Sequence, residues 1–280
     1  MATRPTGRGG VGRRPAAPTR LAVALGLGLL PVGCGDPADD SVDPDQVDAV
    51  EAPRLGACRM LTVADLAEQT NATVTVPCSE RHTAQTYAVG DLPADLRDAD
   101  RDSAEVGAFA YDTCSTKLQK FLGADESLAM RTIVSWAWFR PSARAWDKGA
   151  RWYRCDAVGG GDHSLSLAAL PSPSAEGMLQ GRPDDRWMVC AQGASVSESP
   201  KIACSQPHDW RAVTTIKVGE PNEAYPGDQE VEITTRDFCS DSVGAWLNYP
   251  VDFEYGYTWF HQDEWDAGNR RSVCWAKTSD

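Results

Sequence analysis

Eight of the nine cysteines fall into two groups of four, and this restricts what the 280-residue chain can fold into. Cys58, Cys78, Cys114 and Cys155 are separated by 20, 36 and 41 residues, and Cys190, Cys204, Cys239 and Cys274 by 14, 35 and 35. The residues around them repeat as well. Cys78-Ser-Glu-Arg-His82 answers Cys204-Ser-Gln-Pro-His208, and Trp138-Phe139 answers Trp259-Phe260. Trp146-Asp-Lys-Gly-Ala-Arg151 answers Trp265-Asp-Ala-Gly-Asn-Arg270, with Cys155 and Cys274 at the same offset. Two motifs recurring in the same order make the chain a tandem repeat of modules of about 100 residues each, an ordinary domain size.

Both modules carry one pattern of elements. In the first, Asn71–Cys78 and His82–Val89 alternate and are rich in β-branched residues, which predicts strands. Asp102–Leu122 then places Val106, Phe109, Ala110, Cys114, Leu118, Phe121 and Leu122 on one helical face, ending at Gly123. Arg131–Phe139 and Trp152–Asp156 close the module as strands. The second module predicts strands at Trp187–Ala191, Lys201–Cys204 and His208–Val218. Its helix runs over Asp228–Asn248 with Val231, Thr235, Phe238, Cys239 and Trp246 inward, followed by strands at Tyr255–Phe260 and Arg271–Ala276. Strands, helix, strands is an α+β class: a small antiparallel sheet with one main helix, twice.

Four cysteines allow three connectivities in each module. The preferred pairing is Cys58–Cys78 and Cys114–Cys155, with Cys190–Cys204 and Cys239–Cys274. Cys190 and Cys204 sit at the two ends of an expected hairpin, and the helix cysteine would then tie to the last strand.

The N-terminus reads as an export leader. Residues 1–20 carry five arginines and no acid, Leu21–Leu30 is continuously apolar, and Pro31-Val-Gly-Cys34 follows. A basic stretch, an apolar stretch and small residues before a cleavage point form a secretory signal. The apolar run is too short to span a bilayer as a helix. A small residue before Cys34 resembles a bacterial lipobox, although Pro31 stands where leucine is usual. Cys34 is therefore the expected lipidation site, and the protein is expected on the outer face of the cell membrane, held by a lipid anchor. Residues 36–51 hold seven acids and no base, the composition of a disordered tether. The expected organisation is a leader over 1–34, an acidic tether over 35–52, a first module over 53–160, a connection over 161–185 and a second module over 186–280. The connection is placed by Gly159-Gly-Gly161 and by the Pro171-Ser-Pro173 to Gly181 stretch.

The order Gly56-Ala-Cys58, Val76-Pro-Cys-Ser-Glu-Arg-His82, a helix with a lone cysteine, then W-D-x-G-x-R and a final cysteine resembles the septum-formation domain of actinobacterial envelope proteins. The second copy has Met188-Val-Cys190 in place of the first motif. The resemblance implies a place in the envelope and a link to cell division, without a named reaction.

The candidate binding residues are the duplicated His82 and His208, Trp146 and Trp265, and Arg151 and Arg270. C-x-x-x-H could supply half a zinc site. The plainer reading puts the cysteine in a disulfide and the histidine in a hydrogen bond, since thiols pair in an oxidising compartment and no C-x-x-C knuckle is present. Asp147-Lys-Gly149 and Asp266-Ala-Gly268 read as turns with glycine at positive φ. There Trp146 and Trp265 would cover a module edge, and Arg151 and Arg270 would pair with an acid. Trp136, Trp138, Trp152 and Trp210 are further contact candidates. Ser79 and Ser205 lack a nucleophile elbow. Asp184-Asp185 and Asp263-Glu264 could serve as acid and base, but with 40 acids in the chain the surface accounts for them.

A net charge of −13 excludes a general nucleic-acid binder. No metal, cofactor or catalytic residue is expected. The reading is a non-enzymatic binding or scaffold protein whose partner is an envelope or division protein or a cell-wall component. The competing readings are a cell-wall hydrolase with an unrecognised histidine or carboxylate site, and metal handling through the same histidines.

Overall fold

A computed structural model describes residues 41–161, 164–220 and 222–278. The leader, Cys34 and the start of the acidic segment lie outside the described residues. The remainder contains two five-stranded antiparallel sheets, so the α+β class with two sheet modules is the architecture of the protein.

Chain order runs α1 (Pro44–Val47), β1 (Cys58–Arg59), α2 (Val63–Leu66), β2 (Thr75–Val76), β3 (Ala84–Asp91), α3 (Ala104–Leu122), α4 (Glu126–Ala129), β4 (Ser135–Phe139), α5 (Ala143–Asp147) and β5 (Trp152–Val158). The second half gives β6 (Val189–Ala191), β7 (Lys201–Ala203), β8 (Trp210–Lys217), α6 (Asp228–Trp246), β9 (Tyr255–Thr258), α7 (Gln262–Ala267) and β10 (Arg271–Lys277). The sheet orders are β2-β1-β3-β5-β4 and β7-β6-β8-β10-β9, one topology twice. Even the irregularity repeats. Thr86 faces Asp156 and Ala88 faces Cys155, while Ala212 faces Trp275 and Thr214 faces Cys274, which leaves Tyr87 and Val213 as bulge residues.

The four disulfides are Cys58–Cys78, Cys114–Cys155, Cys190–Cys204 and Cys239–Cys274, the pairing preferred from the sequence. The first of each pair clips the small end of a sheet, and the second bolts the long helix to the centre of its sheet. Each is worth about 2–4 kcal/mol in loop-closure terms.

The long helices follow their apolar spacing. Val106, Ala110, Cys114, Leu118 and Leu122 form the buried stripe of α3, which Ser103 caps at the N-terminus and Gly123 ends at φ 72°. In α6 the stripe is Val231, Thr235, Cys239 and Val243. Phe238 and Trp246, expected inward, are instead exposed by 38% and 50%. Both sit one position off the i, i+4 stripe centred on Cys239, so they flank it.

The acidic segment departs from the sequence reading. Its described part is not a disordered tether but a strap on the first module. Val42 bridges Thr73, the Asp43 N–H donates to the Ala72 carbonyl at 2.7 Å, and the Val74 N–H donates to the Ser41 carbonyl at 2.9 Å. Asp43 caps α1, and Asp48 accepts a hydrogen bond from the Ser142 hydroxyl at 2.6 Å and pairs with Arg144 at 3.5 Å. Composition shows the self-repulsion of seven acids but not these partners far along the chain.

The connection is packed as well. Leu167, Leu170, Ala175 and Leu179 are buried. The Gly177 and Leu179 N–H groups donate to the carbonyls of Phe121 and Leu122, which the end of α3 would otherwise leave without donors. One apolar cluster runs across the module boundary, with Leu118, Leu122, Ile133 and Ala157 from the first module and Val189, Ala191, Val273 and Trp275 from the second. Those second-module residues lie on the sheet face away from α6, so that face rests on the first module's α3 side.

Candidate functional site

The duplicated histidines are placed alike. Each Nδ1 lies 2.8 Å from a carbonyl two residues back, Glu80 for His82 and Gln206 for His208. This contact closes the turn after a disulfide-bonded cysteine, so the thiolate that a zinc site needs is not available. His82 is fully buried and its backbone carbonyl accepts from Leu170, while His208 is half-buried. Among the described residues no group of three or more His, Cys, Asp or Glu is arranged to hold a metal ion.

The W-D-x-G-x-R motifs end short helices rather than isolated turns. Trp146 and Trp265 are buried in α5 and α7, and Gly149 (φ 95°) and Gly268 (φ 112°) follow at positive φ. The arginines were expected to meet an acid, but each folds back over its own tryptophan. The Arg151 guanidinium lies 4.1 Å from the Trp146 ring centre and that of Arg270 3.5 Å from Trp265. Arg151 donates to the Trp146 and Ala150 carbonyls at 2.8 Å, and Arg270 does the same to Trp265 and Asn269. The carbonyls at a helix C-terminus and the ring face both attract the guanidinium. The motif is thus a clasp of arginine over tryptophan, and in the first module Arg151 also donates to the Arg97 carbonyl at 2.6 Å.

Other candidates are also engaged in structure. Trp152 donates to the Ala49 carbonyl in the strap, and Trp210 to Gly193. Asp185 pairs with Arg211, and Glu264 accepts the His261 N–H in the first turn of α7.

Two features were not legible in the sequence. The first is a buried ionic cluster on the sheet face of the first module away from α3. Arg154 and Asp156 are fully buried and 3.0 Å apart, and Asp156 also accepts from the Thr86 hydroxyl at 2.6 Å. Arg59 donates to Thr86 and to the Thr73 carbonyl, and Arg154 to Asn71. Burial, with Arg154 adding repulsion, pushes the Arg59 guanidinium down to about 10.

The second is a groove of about 630 Å³ whose walls come from both modules. Tyr111, Trp136 and Trp138 form part of one side, and Val273, Trp275 and Lys201 part of the other. Tyr111 and Trp136 meet edge to face, with ring centres 5.5 Å apart. Burial pushes the Tyr111 phenol well above its ordinary value, and the Glu126 and Glu264 carboxylates add to the shift, so it is a neutral donor at physiological pH. Arg271, reaching from β10, holds Glu126 at 2.5 Å and fixes the two modules to each other at the groove. No single module contains the groove, so no motif could announce it.

The family comparison decides the relationship. A family described as septum formation matches residues 35–140 and 131–274. The chain belongs to the septum-formation family. The first match takes in the acidic strap, and the second begins between α4 and the strand β4 that lines the groove. No curated protein and no solved structure gives a significant match. The family's description names a process and no reaction, which associates the chain with septum formation at that level.

Proposed function

We propose that this septum-formation family protein is an exported, lipid-anchored binding or scaffold protein of the cell envelope that acts without catalysing a reaction. The observation that carries this reading is the groove built jointly by two docked modules. It presents aromatic faces and hydrogen-bonding groups, whereas the residues of the duplicated C-x-x-x-H and W-D-x-G-x-R motifs, none of which lines it, are engaged in turns and clasps. A pair of modules fixed to one another offers a surface larger than either alone, and buried aromatic side chains are frequent anchors of protein contacts. The leader and Cys34 put that surface outside the cytoplasm, on the membrane.

Two measurements test the reading together. Labelling with a fatty-acid analogue should mark the full chain and lose the mark in Cys34→Ala, which should leave the membrane fraction. A fluorescent fusion of the full chain should gather at division sites, and its depletion should lengthen cells. Uniform distribution with normal septum spacing would sink the septal role, and turnover of cell-wall fragments by the purified oxidised chain would sink the non-enzymatic one.

A further inference from the structure

The groove follows the free edge of a strand. Its lining includes the consecutive residues Ile133 to Trp138. Side chains of successive strand residues point to opposite faces, so a cavity that touches them in unbroken sequence runs along the backbone edge. Among the described residues β4 is the last strand of its sheet, paired on one side only, with β5.

The register shows which backbone groups face the groove. The Gly159 N–H donates to the Thr83 carbonyl across the facing pair Ala84 and Val158, so that pair exchanges no hydrogen bonds and the next, Gln85 and Ala157, does. Along β5, Ala157 and Cys155 thus direct their backbone groups to β3, and Val158, Asp156 and Arg154 direct theirs to β4. Their partners there are Ser135, Ala137 and Phe139. Trp136 and Trp138 therefore turn their N–H and C=O groups to the open edge. Arg140, next in the same alternation, confirms the direction: its N–H donates outward to the Gln69 carbonyl at 3.1 Å.

Edge strands are usually guarded by lysine, proline or a covering element. β4 reads Ser-Trp-Ala-Trp-Phe and has no charge or proline of its own. From this we infer that β4 is a docking edge, and that its occupant is an extended, basic peptide segment of a partner protein added as a sixth strand. An open ladder of alternating donors and acceptors recognises a polypeptide backbone, whereas pockets beside it select side chains. The charge follows from the rim: Glu126 is already paired with Arg271, and Glu68 and Glu264 still outnumber Lys201, whose ammonium is bound to the Val196 and Ser199 carbonyls. β4 spans five residues, roughly 17 Å of ladder. The inference rests on the binding-protein reading and names the chemistry of its partner.

The test pans a phage-displayed library of random 12-residue peptides against the oxidised full chain, and the enriched peptides are then synthesised. Enriched sequences should be free of proline, alternating and positively charged. Their binding should slow hydrogen exchange at the Trp136 and Trp138 amides. Methylating alternate peptide nitrogens should weaken it at least tenfold, and Glu68→Lys, at an exposed site, severalfold. Peptides that bind while leaving the two amides unchanged, or that tolerate methylation in both alternations, would overturn the docking edge. Protection of these amides by soluble cell-wall glycan fragments instead of peptides would overturn it too, as would a library without binders. None of these four results touches the localisation and depletion outcomes, on which the binding-protein reading stands separately.

Discussion

Arg59, Thr86, Arg154 and Asp156 of the first module hold the sheet positions that Ala191, Ala212, Val273 and Trp275 hold in the second. The backbone, the bulge and both disulfides are shared, yet one face is ionic and the other apolar. What covers each face accounts for the difference. The second module's face rests on Leu118, Leu122 and Ile133 of the first, an apolar partner that suits apolar side chains. The first module's face lies under the Asn71–Thr73 backbone and the strap, which offer carbonyls and polar groups, and arginines satisfy those. The strap also receives Trp152, and the position equivalent to Trp152 in the second module is Arg271, which reaches back to Glu126. The strap thus does for the first module what the first module does for the second. A duplicated fold keeps its topology while each buried layer adapts to its neighbour.

The ionic layer carries the largest energetic difference between the two faces. Asp156→Ala should destabilise the chain by about 3–5 kcal/mol, because it strands two buried guanidinium groups. Converting the layer as a whole, with Arg59→Met, Arg154→Met and Asp156→Leu, should recover most of that loss, since a packed apolar layer is what the second module already uses. Chemical denaturation of the oxidised proteins reads both. A triple variant as unstable as Asp156→Ala would show that the two faces are not interchangeable.

The disulfides come next. Removing Cys114–Cys155 or Cys239–Cys274 as a paired alanine change should cost about 2–4 kcal/mol each, and nearly equally, because the closed loops span 41 and 35 residues. Clearly unequal midpoints would mean that one helix depends on its bolt more than the other.

Among the described residues the strap has no counterpart in the second module, and it should respond to pH. The Ser142 hydroxyl donating to Asp48, helped by Arg144 and Lys148, holds that carboxyl below its ordinary value. A depressed carboxylate stabilises above its unfolded value, near pH 4, and loses the contribution as pH falls through the folded one. Exchange protection of the Asp43 and Val74 amides should therefore be full at pH 6 and fade towards pH 3, and Ser142→Ala should move the fading upward. Protection unchanged down to pH 3 would remove Asp48 from the account.

The smallest expected effect separates the two clasps. Gly149→Ala places a methyl group in open space and should cost about 1 kcal/mol from its positive φ alone. Gly268→Ala carries the same backbone strain, and its Cβ would also stand 2.8 Å from Tyr111 Cδ1 at the module boundary, so it should cost more. Thermal unfolding of the two variants orders them, and equal shifts would argue against close packing there.

How far the sequence reaches is visible in these same residues. Covalent and local features were legible: the cysteine pairing, the repeat of motifs, and the helical stripe through Cys114. Arg151 and Arg270 show a partial reading, since the spacing places them beside their tryptophans but does not tell a carboxylate partner from a helix's own carbonyls. Phe238 and Trp246 were misplaced because helical spacing defines a stripe only to within one position on either side. The strap, the ionic layer and the groove depend on contacts such as Asp48 with Ser142 and Arg271 with Glu126, 94 and 145 residues apart. No local pattern encodes such pairs.

The two modules form one folding unit, each layer of which is completed by its neighbour. Scanning calorimetry of the oxidised chain from residue 35 onward tests it directly. One transition whose calorimetric and van't Hoff enthalpies agree is the predicted result. Two separable transitions, or a van't Hoff enthalpy near half the calorimetric one, would contradict it and reduce the shared core and its groove to a loose contact between independent modules.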